Sequence, residues 1–188
     1  MFNHYMTSEI LSNGKFFSPS KGDLILDEVT KEIFGYMKES PENAYEIVVG
    51  CDSPSSDKPF FPIAIVILRT GFGGRFFLKK MHYDDNFLKR FGAPFGSWKN
   101  RILQEVYLSC ELALSLREEL SRYARSREAG ENAYNLKYQF EYIHADVGER
   151  GKTKEMIKEV VGLIKSNGFE PKIKPYSFAA TVVADRYT

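Results

Sequence analysis

The chain has 188 residues, a length that suits one hydrophobic core, and a single domain over 1–188 is expected. With 43% apolar and 27% charged residues it has the material for a packed interior, which excludes a disordered chain. The formal charge of +1 excludes a protein that coats nucleic acid by bulk basicity and leaves room only for a local basic patch.

No stretch approaches the roughly 18 consecutive apolar residues of a membrane span. The opening MFNHYMTSEILSNGKFF lacks the basic-then-apolar order of a signal peptide. A cytoplasmic protein without membrane contact is the expectation. Cys51 and Cys110 have no metal-type spacing and read as reduced core residues.

In chain order, residues 1–21 are polar and aromatic without periodicity and are expected to form an irregular arm. Val29, Ile33, Tyr36 and Met37 recur at helical spacing, which predicts a helix over Leu26–Lys38, ended by Ser40 and Pro41. Residues 45–52 (YEIVVGCD) read as a buried central strand, and 60–69 and 75–83 as two more, joined through GFGG as a hairpin. Ser97 is a plausible N-cap for a long helix to about Arg127, striped by Ile102, Val106, Cys110, Ala113, Leu114 and Leu120. Residues 138–147 read as a fourth strand, 152–167 as a helix stopped by Gly168, and 171–174 as a short fifth strand. The last segment, SFAATVVADRYT, reads as a short helix capped by Ser177, although Thr181, Val182 and Val183 keep a strand open. This order predicts an α/β domain with a five-stranded mixed sheet, helices on both faces and an additional N-terminal helix.

Two predicted strands end in an aspartate, Asp52 and Asp146, where ligands of α/β sheets gather. Each alone reads equally as a turn-capping residue. Glu105 shares a helical row with Leu112 and Leu116, so it is held toward an apolar face or reaches water at the edge of the stripe. Glu111, in a row with Gln104, Ser115 and Arg122, reads as solvated. Asp185 is the fourth acid, in an Ala-rich segment, with pairing to Arg186 as its alternative. Three or four converging carboxylates suit a hard cation such as Mg²⁺ better than zinc. His144, two residues before Asp146, reads as packed or hydrogen-bonded rather than ligating.

Residues 86–104 carry Lys89, Arg90, Lys99 and Arg101 and no acid, with Phe87, Phe91, Phe95 and Trp98 interleaved. Such a loop either holds phosphates and stacks bases or plugs the sheet edge with its aromatics. RGKT at 150–153 ends like a P-loop, but Asp146 stands where the first glycine is required, so it is not an ATPase signature. Lys152, at a helix start, either meets a phosphate or is solvated.

An acid ending the first strand, one on the long helix, one ending the fourth strand and one in the last element together resemble the ribonuclease H-like superfamily, with sheet order 3-2-1-4-5. More narrowly, GCDS at 50–53, ADVGERGKT at 145–153 and KIKPYSFAATVVADRYT at 172–188 resemble the YkuK-like family of predicted ribonuclease H-like nucleases. The resemblance implies a two-metal nuclease site of Asp52, Glu105, Asp146 and Asp185, holding two Mg²⁺ or Mn²⁺ ions. Ser53 and Lys174, which lie in these motifs, join Lys89, Arg90, Lys99, Arg101 and Lys152 as expected contacts to a DNA or RNA substrate. A catalytically inactive ribonuclease H-fold protein that binds nucleic acid or acts as a scaffold is the alternative, and a phosphatase on a small phosphate ester is a third reading.

Overall fold

The computed structural model describes residues 14–54, 60–83, 97–130, 133 and 135–184, with 180 and 181 as backbone only. Period-two alternation at Phe16, Phe17 and Ser18 buries the first and third side chains and makes β1 (Phe16–Ser18), which turns back antiparallel into β2 (Gly22–Leu24). The arm expected to be irregular over 1–21 therefore contains a strand. Three residues are too short a run for their alternation to stand out, and Phe16 is drawn into the core by the sheet rather than by its neighbours in sequence.

The stripe of Val29, Ile33 and Met37 is fully buried and sets α1 (Leu26–Lys38) against the sheet. Its first turn is held by Glu28, whose carboxylate accepts the Ile25 N–H at 2.8 Å. β3 (Ala44–Cys51), β4 (Phe61–Arg69) and β5 (Gly73–Met81) then form an antiparallel meander. The β4–β5 turn needs Gly71 and Gly73 at positive φ of 81° and 87°. α2 (Trp98–Ala124) crosses to β6 (Lys137–Ala145), which lies parallel to β3. Ser97 occupies the N-cap position in extended conformation, but its side chain makes no capping bond. The next helix begins with a 3₁₀ stretch, Lys152–Met156, and continues as α3 (Ile157–Ser166) before the short parallel strand β7 (Glu170–Lys172).

Among the described residues the sheet has seven strands, not five, in the order β2-β1-β5-β4-β3-β6-β7. The expected order is thus lengthened by a hairpin beyond β5, while the five strands from β3 onward keep their relative places. α1, α2 and α3 bury one face with Val29, Ile33, Leu108, Leu112, Val160 and Ile164 among its core residues. The other face is covered by a π-helical segment, Ala179–Ala184, whose Ala179 seats on Val48, Ala64, Val66 and Leu78. The β-branched residues of that segment do not make a strand, because it crosses the sheet face instead of joining an edge.

Cys51 and Cys110 are free and buried, as expected. Among the described residues no helix is long and apolar enough to cross a membrane.

Candidate functional site

The site begins with the parallel register of β3 and β6. Ala44 pairs with Lys137, an irregularity follows between Glu46 and Val48, and from there Val48 pairs with Tyr142 and Cys51 with Ala145. The one-residue shift brings the next residue of each strand, Asp52 and Asp146, to the same level on neighbouring strands about 5 Å apart. Asp52 is still held to the sheet through its N–H, which donates to the Pro62 carbonyl at 3.2 Å. Both aspartates are half-buried.

Glu105 reaches the same end of the sheet from the second turn of α2. Its Oε1 accepts the Ser53 N–H at 3.0 Å and the Ser53 hydroxyl at 2.5 Å, while Ser53 N–H also meets Asp52 Oδ1 at 2.9 Å. Only 6% of Glu105 is exposed. Burial, and then the negative charge of Asp52, hold its carboxyl well above the usual range; the Ser53 bonds oppose this, and Asp146 adds to the rise. Burial and the charges of Glu105 and Asp52 likewise push the Cys51 thiol up. Three carboxylates that feel one another in a partly dry setting form an electronegative end of the sheet.

One cation stands on these acids and a second lies on the chain next to them. The Lys174 ammonium, from the loop after β7, lies 2.8 Å from Asp146 Oδ2. Arg101, one turn before Glu105, donates to the Pro54 carbonyl at 3.5 Å. Lys174 N–H donates to Val147 O at 2.9 Å, and a Cβ on Gly148 would sit 3.0 Å from Lys174 Cβ, so the loops after β6 and β7 are tied tightly together. The Gly148 N–H donates to Thr153 Oγ1 at 3.2 Å, which fixes the turn into the 3₁₀ stretch.

Beside the acids, Trp98 and the exposed Lys152, Lys154 and Lys158 line a cavity of about 650 Å³ with Gly151 and Glu155. Lys99 lies over the Trp98 ring, 5.6 Å from its centroid, and pairs with Glu155 at 3.2 Å. Trp98 and Glu105 are seven residues apart on α2, hence on one side of it and about 10 Å apart along its axis.

The fold thus gathers Asp52, Ser53, Glu105, Asp146, Lys174 and Arg101, and sets Lys99 and Lys152 at the adjoining cavity. Asp185, Lys89 and Arg90 lie outside the described residues. Sequence reasoning missed Lys154 and Lys158, whose spacing of four on one helical side was the available signal. It also misread Glu111, which is 6% exposed like Gln104: α2 packs on β3 and β6 and is flanked by α1 and α3, leaving little of it in water. Gln104 donates to the Tyr83 hydroxyl at 2.6 Å.

His144 is fully buried and packed, as read from the sequence. Its Nδ1 accepts the Ala179 N–H at 3.0 Å, Phe178 stands edge-on at 4.6 Å, and burial with the Lys172 charge brings its pKa down to about 3. It anchors the start of the π-helical segment. Among the described residues no group of three or more His, Cys, Asp and Glu side chains stands in a metal-ligating arrangement. Ser53 engages Glu105, and Lys174 engages Asp146.

The family model for ribonuclease H-like proteins matches residues 28–188. The chain is also 28% identical over 174 residues to the uncharacterized protein YkuK of Bacillus subtilis (strain 168), covering 92% of this chain and 96% of that one. No solved structure matches the chain significantly. With the sheet, the crossing helix and the matched length in agreement, the chain belongs to the ribonuclease H-like family, as a YkuK-like member.

Proposed function

We propose that this protein is a divalent-metal-dependent nuclease that hydrolyses nucleic-acid phosphodiester bonds at the end of its sheet. The observation that carries the reading is the meeting of Asp52, Glu105 and Asp146 there, with the Glu105 carboxyl held high by its burial first and by the charges of Asp52 and Asp146 besides. A cation would relieve that mutual repulsion. All the donors are carboxylate oxygens, which fit Mg²⁺ or Mn²⁺ and not a thiolate- or imidazole-preferring metal.

Asp52 and Asp146 are the principal ligands in this reading, with Glu105 and Asp185 completing a two-ion site. Bound ions of this kind supply an activated water and neutralise charge on the leaving oxygen. The chain's own residues do the rest. Ser53 orients Glu105 through its N–H and hydroxyl. Lys174 balances Asp146 and, at the edge of the acids, would be placed to meet a substrate phosphate. Lys152 and Lys99, with Lys154, Lys158 and Trp98, hold the polynucleotide beside the site, and Lys89 and Arg90 extend that contact.

A second reading, a nucleic-acid-binding module without chemistry, is favoured by one observation. The carboxylates of Glu105 and Asp146 are engaged by Ser53 and Lys174, and among the described residues no group of three or more ligating side chains stands together to hold a metal ion.

Cleavage of labelled single-stranded, duplex, hybrid and branched oligonucleotides with Mg²⁺ or Mn²⁺, with Asp52→Asn beside the parent, decides between the two. Metal-dependent cutting that disappears in a folded Asp52→Asn protein supports the nuclease. Undiminished cutting by that variant removes Asp52 from the site, and binding without cutting by the parent leaves the binding module.

A further inference from the structure

A second cavity lies at the loop that follows Asp146. It measures about 620 Å³ and is lined by Gly148, Glu149, Arg150, Ile173, Lys174, Pro175 and Tyr176. It sits beyond the carboxyl ends of the parallel strands β6 and β7, the place where α/β sheets receive ligands. Its walls are pre-formed. The Lys174 N–H bond to Val147 O, the close approach of Gly148 to Lys174 and the Tyr176 N–H bond to Ile173 O at 2.8 Å hold the two loops in place without a ligand.

Three features of the cavity point to one kind of occupant. Lys174 lines the cavity and pairs with Asp146, so the cavity adjoins the carboxylate site. Arg150 on the rim is exposed and supplies a planar cation suited to phosphate; with Lys174 it outweighs the single acid of the lining, Glu149. Tyr176 is 73% exposed and also borders a neighbouring concavity with Pro171, Lys172, Ile173, Pro175 and Phe178. An aromatic ring so exposed costs apolar hydration and gains nothing from the core, but it offers a face on which an unpaired base can stack.

We propose that the Arg150–Lys174–Tyr176 cleft is a subsite for one unpaired nucleotide of a single-stranded polynucleotide, next to the phosphate at the carboxylates. Tyr176 takes the base by stacking, and Arg150 with Lys174 takes the flanking phosphates. A base within a duplex is already stacked on its neighbours and cannot take this position without being pulled out. The cleft therefore selects single strands or unpaired ends. This rests on the nuclease reading only for the neighbouring phosphate at the carboxylates, not for binding in the cleft itself.

The test is fluorescence anisotropy with a labelled single-stranded oligonucleotide and its duplex, with divalent metal chelated, on the parent, Tyr176→Phe and Tyr176→Ala. The same proteins are then assayed for cleavage in Mn²⁺. Tyr176→Ala is expected to weaken single-strand binding about tenfold with an unchanged salt slope, and Tyr176→Phe to stay within about twofold of the parent. The duplex is expected to bind more weakly than the single strand and to be insensitive to Tyr176. Equal single-strand binding by Tyr176→Ala and the parent overturns the subsite, as does a parent that binds no single strand. Cutting that persists alongside equal binding leaves the nuclease standing without this cleft. Tyr176-dependent binding without any cutting leaves the cleft standing and removes the nuclease.

Discussion

The Lys174 ammonium stands 2.8 Å from Asp146 Oδ2, so a cation of the chain itself already occupies one side of the acid cluster. A divalent ion binding Asp146 meets the charge of this ammonium, and on Oδ2 competes with it directly. Lys174→Gln is therefore expected to bind Mn²⁺ severalfold more tightly than the parent by calorimetry, because the competing charge is gone. Its affinity for an oligonucleotide should fall, with a salt slope smaller by about one, as one phosphate contact is lost. Weaker Mn²⁺ binding in this variant would show that Lys174 supports the metal site instead of competing for it.

Glu105 carries its carboxyl at a cost in burial. A carboxyl that is 6% exposed, beside Asp52 and Asp146, repels its neighbours whenever it is ionised. Glu105→Gln keeps an acceptor for Ser53 and removes that charge, so the metal-free protein should melt about 2 to 4 °C higher, corresponding to about 1 kcal/mol. Mn²⁺ should raise the melting temperature of the parent and do so much less for the variant. A lower melting temperature for metal-free Glu105→Gln would mean that the carboxylate is stabilising where it stands.

Lys152 and Lys158 border the Trp98 cavity and are exposed, so they can be changed without touching the core. The double replacement by Ala should reduce the slope of log affinity against log salt for a single-stranded oligonucleotide by about 1.5, with the thermal midpoint unaltered. An unchanged slope would remove this cavity from the path of the strand.

Lys79, on β5, offers a test of the fold away from the acids. It is 6% exposed beside the Phe16 ring, and burial brings its pKa from 10.5 down to about 8. Between pH 8 and 10.5 the unfolded chain binds more protons at this position than the folded one, so the contribution of Lys79 to stability rises with pH across that window. Lys79→Met, of similar length and without the charge, should be more stable by about 1 to 3 kcal/mol at pH 7 in urea unfolding, and that advantage should shrink toward pH 10. A variant no more stable than the parent at pH 7 would mean that the contacts of the ammonium offset its burial.

Local patterns were enough for the long elements. Val29, Ile33 and Met37 at helical spacing mark α1, and the unbroken apolar runs of β3 and β4 mark strands buried on both faces. The aspartates at 52 and 146 also stood out, since a charge directly after a buried strand marks its carboxyl end. In each case the signal lies within a dozen residues, because burial of one stripe or run sets the period. The β1–β2 hairpin, the buried sides of Glu111 and Gln104, and the role of Lys174 were beyond reach, for they depend on surfaces brought from far along the chain. The clearest case is the register of β3 on β6. Continuing the Ala44–Lys137 offset would set Asp52 level with Ala145; the one-residue shift after Glu46 sets it level with Asp146 instead. Both strands carry the same residues under either pairing, so their sequences determined that each would end in an acid. Only the packing of side chains across the parallel pair, where a slip of one residue turns every side chain to the other face, decided that the two acids would meet.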